Sequence, residues 1–240
     1  MALGLYEDSP EACELPHKPI PLAVFLVVEQ AIRFAWEMMR QRPRQNFRLD
    51  RENEDPVTAV LWERLLDEVF NRNVVPGFDA TLLMKPVREA KVSNFDRSNT
   101  ELMPDLLIGL LNRPAVAIPS QDWLFIECKP VQIGRAAGEF YCDKGIIRFL
   151  RGDYAWAMTS ALMVGYASAR YRIVPKLTTA LRARARKMAT TVFPRQCKRS
   201  PASASCEPTH ITEHRRAFRY EQNGRQAPPI GLRHLWLKRD

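Results

Sequence analysis

Glycine is scarce in this chain, 10 of 240 residues, and no segment gathers it into the phosphate-cradling loop of a nucleotide-binding protein. The five cysteines sit at irregular positions, which argues against a disulfide framework and fits reduced thiols. The apolar run from Pro21 to Val28 is too short to cross a bilayer, and the acidic start, with Glu7, Asp8, Glu11 and Glu14, lacks the basic opening of a secretory signal. These absences give the expectation of a cytoplasmic protein with no membrane partner. No internal repeat is visible.

Charge and apolar content are plentiful. A hydrophobic fraction of 46% over 240 residues is enough for one sizeable core and a small appendage. The formal net charge is +9 but unevenly spread: residues 151–240 hold 18 Lys and Arg against 5 Asp and Glu, whereas residues 1–150 hold 18 against 22. A basic C-terminal third suits a polyanion, and its attraction would depend on salt. Cys197, Cys206, His210 and His214 are metal-ligand types, but eight residues between the cysteines make a poor zinc knuckle. His214 with Arg215, Arg216 and Arg219 reads instead as basic surface.

Two short segments carry the chemistry, Met103–Gly109 and Trp123–Lys129. Each places acidic residues on an apolar, strand-like run. Side chains alternate along a strand, so Glu127 and Lys129 share one face and Cys128 takes the other. If the preceding segment pairs alongside, Asp105 reaches the same place. Two carboxylates offer hard oxygen ligands to Mg²⁺ or Mn²⁺, and an adjacent ammonium can orient or deprotonate water and offset charge growing on a phosphorane. A solvated ion pair at a strand end uses the same residue types. Leu106, Leu107, Ile108, Leu124, Phe125 and Ile126 are apolar on both faces, however, and ionisable groups in such strands are costly unless paired or metal-bound.

Pro104-Asp105 and Glu127-Cys128-Lys129 resemble the signature of the PD-(D/E)XK nuclease superfamily, over roughly residues 54–166. The resemblance implies an α/β fold, a mixed central β-sheet flanked by helices, and Mg²⁺-dependent hydrolysis of nucleic-acid phosphodiesters, most often of DNA. Asp105 and Glu127 would hold the metal with the backbone carbonyl of Cys128, and Lys129 would serve the nucleophilic water. A helix ahead of the strands would add one acid, Glu54 or Glu63. Glu63 falls mid-helix beside the apolar face, as a solvated residue would, so Glu54 is the better choice. Substrate-facing polar residues would be Gln132, then Lys144, Arg148 and Arg151 at one-turn spacing, interleaved with Tyr141, Phe149 and Tyr154. Arg182 and Arg186 extend the basic surface.

Members of that superfamily serve restriction, anti-phage defence or repair. With no nucleotide-binding loop present, an ATPase or specificity subunit would be a separate chain, and a homodimer would suit cutting both strands of a duplex. Two other classes use the same residues: a catalytically inert nucleic-acid-binding or scaffold subunit, and a ribonuclease effector. Comparison of RNA and DNA substrates separates the last.

The expected organisation is an N-terminal helical extension over 1–53, a nuclease-like core over 54–175, and a basic helix, mobile loop and closing strand over 176–240. Residues 1–18 read as irregular, 20–41 as a helix, 42–53 as a charged connection, and 54 to about 70 as a helix with proline in its first turn. Ala80–Val92 reads as a strand or hairpin at an edge, because of Pro86. Gly138–Arg170 reads as helical, with a small-residue face at 155–165 suited to tight packing on the sheet or on another subunit. Ile173–Val174 suggests a short strand, Leu177–Ala189 a helix, Arg195–Pro208 a mobile loop, and Ile230–Lys238 an alternating closing strand.

Overall fold

The computed structural model describes residues 14–114, 116–199 and 205–239. Residues 1–13 of the segment 1–18 expected to be irregular therefore lie outside the described residues. Leu22–Gln41 forms helix α1, whose buried stripe of Val28, Ile32, Ala35, Trp36 and Met39 recurs at helical spacing. Glu54–Glu63 forms α2, which continues in wider π-helical turns over Arg64–Phe70. Glu54 and Asp55 in the first turn of α2 complement the positive end of its dipole.

Among the described residues seven strands build one mixed sheet: β1 (Val87–Arg88), β2 (Leu106–Gly109), β3 (Trp123–Val131), β4 (Ser160–Ala167), β5 (Thr190–Gln196), β6 (His210–His214) and β7 (Ile230–Lys238). Their order is β1-β2-β3-β4-β7-β6-β5. The pairs β1–β2, β2–β3, β5–β6 and β6–β7 are antiparallel, while β3–β4 and β4–β7 are parallel. The fold class is thus α/β, with a mixed sheet flanked by helices. Trp36 stacks on Tyr166 at 5.4 Å and donates to the Lys238 carbonyl at 2.9 Å, which fastens α1 to one face. The buried Glu29–Arg233 ion pair, Oε1 to Nε 2.5 Å, lies on that side too. On the other face a π-helical segment, Ala137–Ile146, runs into helix α3 (Ile147–Arg151), and Tyr141 packs against His234 and Trp236. Among the described residues no helix is long and apolar enough to cross a membrane.

Several expectations need correction. The helix expected over Gly138–Arg170 ends at Arg151, because Gly152 takes a left-handed φ of 81° and caps it. The small-residue face at 155–165 largely becomes β4, buried on both sides, so it offers no subunit interface. Ile173–Val174 opens helix α4 (Ile173–Arg182) rather than a strand, and the helix expected to reach Ala189 breaks before the short α5 (Ala185–Met188). Ala80–Val92 contains only the two residues of β1, at the sheet edge beside Pro86. The loop expected from Arg195 begins inside β5, and at its far end Cys206 is buried and bridged to Leu237; residues 200–204 lie outside the described residues. The closing strand β7 is interior, flanked by β4 and β6. The four described cysteines are free and buried.

Candidate active site

The antiparallel register of β2 and β3 pairs Leu106 with Ile126, which sets Asp105, one residue before β2, across from Glu127. Alternation on β3 puts Lys129 on the same face as Glu127, and α2 delivers Glu54 from its first turn. The Lys129 ammonium is the centre of the group: Nζ lies 2.6 Å from Glu54 Oε1, 2.9 Å from Glu127 Oε1 and 3.4 Å from Asp105 Oδ2. It also donates to the Cys128 carbonyl at 2.8 Å. The Cys128 amide donates to Asp105 Oδ2 at 2.6 Å, so that carboxylate is fixed to the β3 backbone. Gly145 passes close by, and a Cβ there would meet Met163 Cε at 2.7 Å and Lys129 Cγ at 3.2 Å. A larger residue would press on the lysine stem.

Burial pushes the Glu127 carboxyl up to about 8, with Asp105 adding to the rise and Lys129 opposing it. Burial likewise raises Glu54 against the pull of Lys129. For Lys129 burial acts downward, but Glu127, Asp105 and Glu54 outweigh it and hold the ammonium above the usual lysine range. In the metal-free cluster Lys129 is thus the protonated member, able to orient water and compensate negative charge.

The cluster sits in an open cleft of about 700 Å³, whose walls include Lys144, Arg148, Arg151 and Tyr154. Lys144 lies 4.1 Å from the centroid of Phe140 and Arg148 5.5 Å from that of Tyr154. The other two aromatics expected to support a ligand, Tyr141 and Phe149, are fully buried in the core. Gln132 does not line the cleft: its Oε1 accepts from Arg239 at 2.9 Å. Arg182 lies over Phe193, 5.6 Å from the ring centroid, and Arg186 lines a neighbouring groove. Glu63 pairs with Arg44, apart from the cluster.

Sequence reasoning passed over Arg135, Asp143 and Glu89, all of which line the cleft. Arg135 follows the Gly134 turn just after β3 and donates to Asn53 Oδ1 at 2.9 Å, a place where a turn signal after a motif strand could have been noticed. Asp143 binds Arg184 at 2.8 Å and Lys187 at 2.7 Å. Among the zinc-ligand types, His210 bonds the Pro208 carbonyl and Cys206 contacts Arg33. His214 is not basic surface: it is fully buried, with Nε2 2.7 Å from Thr212 Oγ1 and Nδ1 2.8 Å from the Met188 carbonyl.

Asp105, Glu127 and the Cys128 carbonyl are all hard oxygen donors on one stretch of β2–β3, which fits Mg²⁺ or Mn²⁺ better than a thiol-preferring metal. The Cys128 thiol faces away, buried and pushed well above its ordinary range by that burial. Among the described residues no three His, Cys, Asp or Glu side chains group as a metal site; the carboxylates converge on Lys129. Comparison with protein-family profiles, with curated proteins and with solved structures gave no match.

Proposed function

We propose that the protein is a Mg²⁺-dependent nuclease of the PD-(D/E)XK type, acting on phosphodiester bonds of nucleic acid, with DNA the substrate that its resemblance implies. One observation carries the reading: acids from α2, β2 and β3 meet around a single lysine at the floor of an open cleft with cations on its wall. The order helix, antiparallel strands, helix and parallel strand, seen in α2, β2, β3, α3 and β4, supports it.

Asp105, Glu127 and the Cys128 carbonyl would hold the cation, which when bound supplies Lewis acidity and a more acidic water. Lys129 then faces the scissile phosphate with a fixed positive charge, aimed where negative charge grows. Glu54 holds the lysine in place and completes the acidic ring. Lys144, Arg148 and Arg151 bind flanking phosphates and position the strand. Restriction, defence or repair is the setting such chemistry serves, with partner chains supplying any ATPase or specificity function.

A specific feature also favours an inert nucleic-acid-binding subunit: the ammonium stands where three carboxylates converge and already balances much of their charge. The experiment is cleavage of plasmid, linear duplex, single-stranded DNA and RNA with Mg²⁺, Mn²⁺ or EDTA, for wild type and Asp105→Ala. Metal-dependent cutting lost in the variant supports the nuclease; binding without cutting under every metal supports the inert subunit. Cutting confined to RNA makes it a ribonuclease.

A further inference from the structure

A second groove, of about 470 Å³, adjoins the carboxylate cleft and shares Ile147 and Arg151 with it as a common wall. Its floor is apolar. Phe95 and Phe218 stack there with centroids 4.6 Å apart, beside Leu150. Gly152 lets them lie on the end of α3: a Cβ at that position would come within 2.8 Å of Phe95 Cδ1 and 3.0 Å of Phe218 Cε1. Its φ of 81° also favours glycine.

The rim is cationic. Arg151 comes from α3, Arg186 from α5, and Arg215 from just beyond β6, three elements that converge on one depression. All three are exposed, and the Arg186 and Arg215 guanidiniums make no hydrogen bond or ion pair among the described residues. Neighbouring Lys187 is different, being held 2.7 Å from Asp143. A solvated surface spreads its charges; here unsatisfied guanidiniums encircle an aromatic floor.

We propose that this groove holds a single-stranded extension of the nucleic acid whose phosphodiester enters the carboxylate cleft. The inference rests on the nuclease reading for its direction, since Arg151 touches both depressions and makes them one track. Guanidinium forks match phosphate oxygens, and an apolar, aromatic floor accepts a base only when that base is unpaired. The groove's volume is in the range that encloses a small organic ligand, room for a nucleotide. A duplex keeps its bases from the floor. A peptide of acidic residues alone would use the rim and leave the floor unused.

The test is fluorescence anisotropy in EDTA with a labelled 16-nucleotide single strand and a blunt duplex of equal length, using wild type, Arg186→Ala/Arg215→Ala and Phe95→Ala, each checked for folding by circular dichroism. The double arginine variant is expected to bind the single strand at least tenfold more weakly. Its salt slope falls by about 1.4, two phosphate contacts at about 0.7 each. Phe95→Ala loses about tenfold with the slope unchanged, as lost stacking requires. Wild-type affinity and slope in both variants, or equal weakening of the blunt duplex, overturns the proposal. So does displacement of the strand by polyglutamate as effectively as by unlabelled oligonucleotide, which would make the groove a site for an acidic protein. Cleavage of the same oligonucleotides with Mg²⁺ separates the two readings. Binding lost in the variants while wild type never cuts sinks the nuclease and keeps the groove; cutting with unaltered variant binding does the reverse.

Discussion

Replacing Glu127 with glutamine is expected to make the protein more stable at alkaline pH and to leave it nearly unchanged at acid pH. Glu127 is 3% exposed, and burial lifts its carboxyl from an ordinary 4.5 to about 8. Between those values the folded chain keeps the proton and the unfolded chain gives it up. Stability therefore falls as pH rises from 4.5 to 8, by about 1.4 kcal/mol for each pH unit crossed. Integrated over the interval, this is on the order of 5 kcal/mol, an upper figure because neighbouring groups relax. Glutamine keeps the shape and cannot ionise, so this falling contribution is absent from the variant. The assay is urea unfolding in EDTA at pH values from 4 to 9, followed by the fluorescence of the five tryptophans. Unchanged m-values would show that the same surface is being exposed. Parallel pH curves for the two proteins, or a variant weaker than wild type at pH 9, would refute the placement at the floor of the cleft of a carboxyl whose burial favours the proton.

Two further outcomes follow from the packing. Glu29→Ala leaves the Arg233 guanidinium buried without its carboxylate, and removes the 2.7 Å acceptor of Thr209, so urea unfolding is expected to show a loss of about 3–5 kcal/mol in unfolding free energy; a loss under about 1 kcal/mol would show that the pair contributes little. Burial lowers His214 to about 4, so its folded form stays neutral while the unfolded chain takes up a proton below 6.5. Wild type accordingly loses about 3 kcal/mol from this group as pH falls from 6.5 to 4, and His214→Gln does not. The stability gap between them is expected to move toward the variant by that amount on acidification; a constant gap would contradict a buried neutral imidazole.

The convergence of charged residues at the candidate site was legible because strand alternation and helical spacing fix which of them meet. Glu127 and Lys129 share a face by strand alternation alone, and Glu54 could be preferred over Glu63 because Glu63 falls mid-helix beside the apolar face, as a solvated residue would. The cations of the cleft wall were found by helical spacing, yet their aromatic neighbours were misjudged. Tyr141 and Phe149 alternate with them in sequence but turn into the core, and only burial distinguishes the two faces. β4 was hidden for a different reason. Ser-Ala-Leu-Met-Val-Gly-Tyr-Ala is apolar on both sides, so it has no period of two to betray a strand. The stop signal was nevertheless present at Gly152. β5 and β6 were lost among arginines and histidines, although Thr190-Thr191-Val192-Phe193 is rich in β-branched and aromatic residues. Gln132 and His214 look like ligand or surface residues in one dimension and find protein partners in three.

The interior position of β7 bears on when the protein can fold. Residues 230–238 form the seam between β4 and β6, and the carbonyl of Lys238 also receives Trp36 from the far end of the chain. During synthesis, β2, β3 and β4 can pair with one another as they emerge, whereas the β5–β6 hairpin has no sheet edge to join until β7 arrives. Until then β4 presents an open, wholly apolar edge. Closing the sheet thus takes the long-range pairing of β4 with β7, and until it forms the β4 edge is open to pairing with a neighbouring chain.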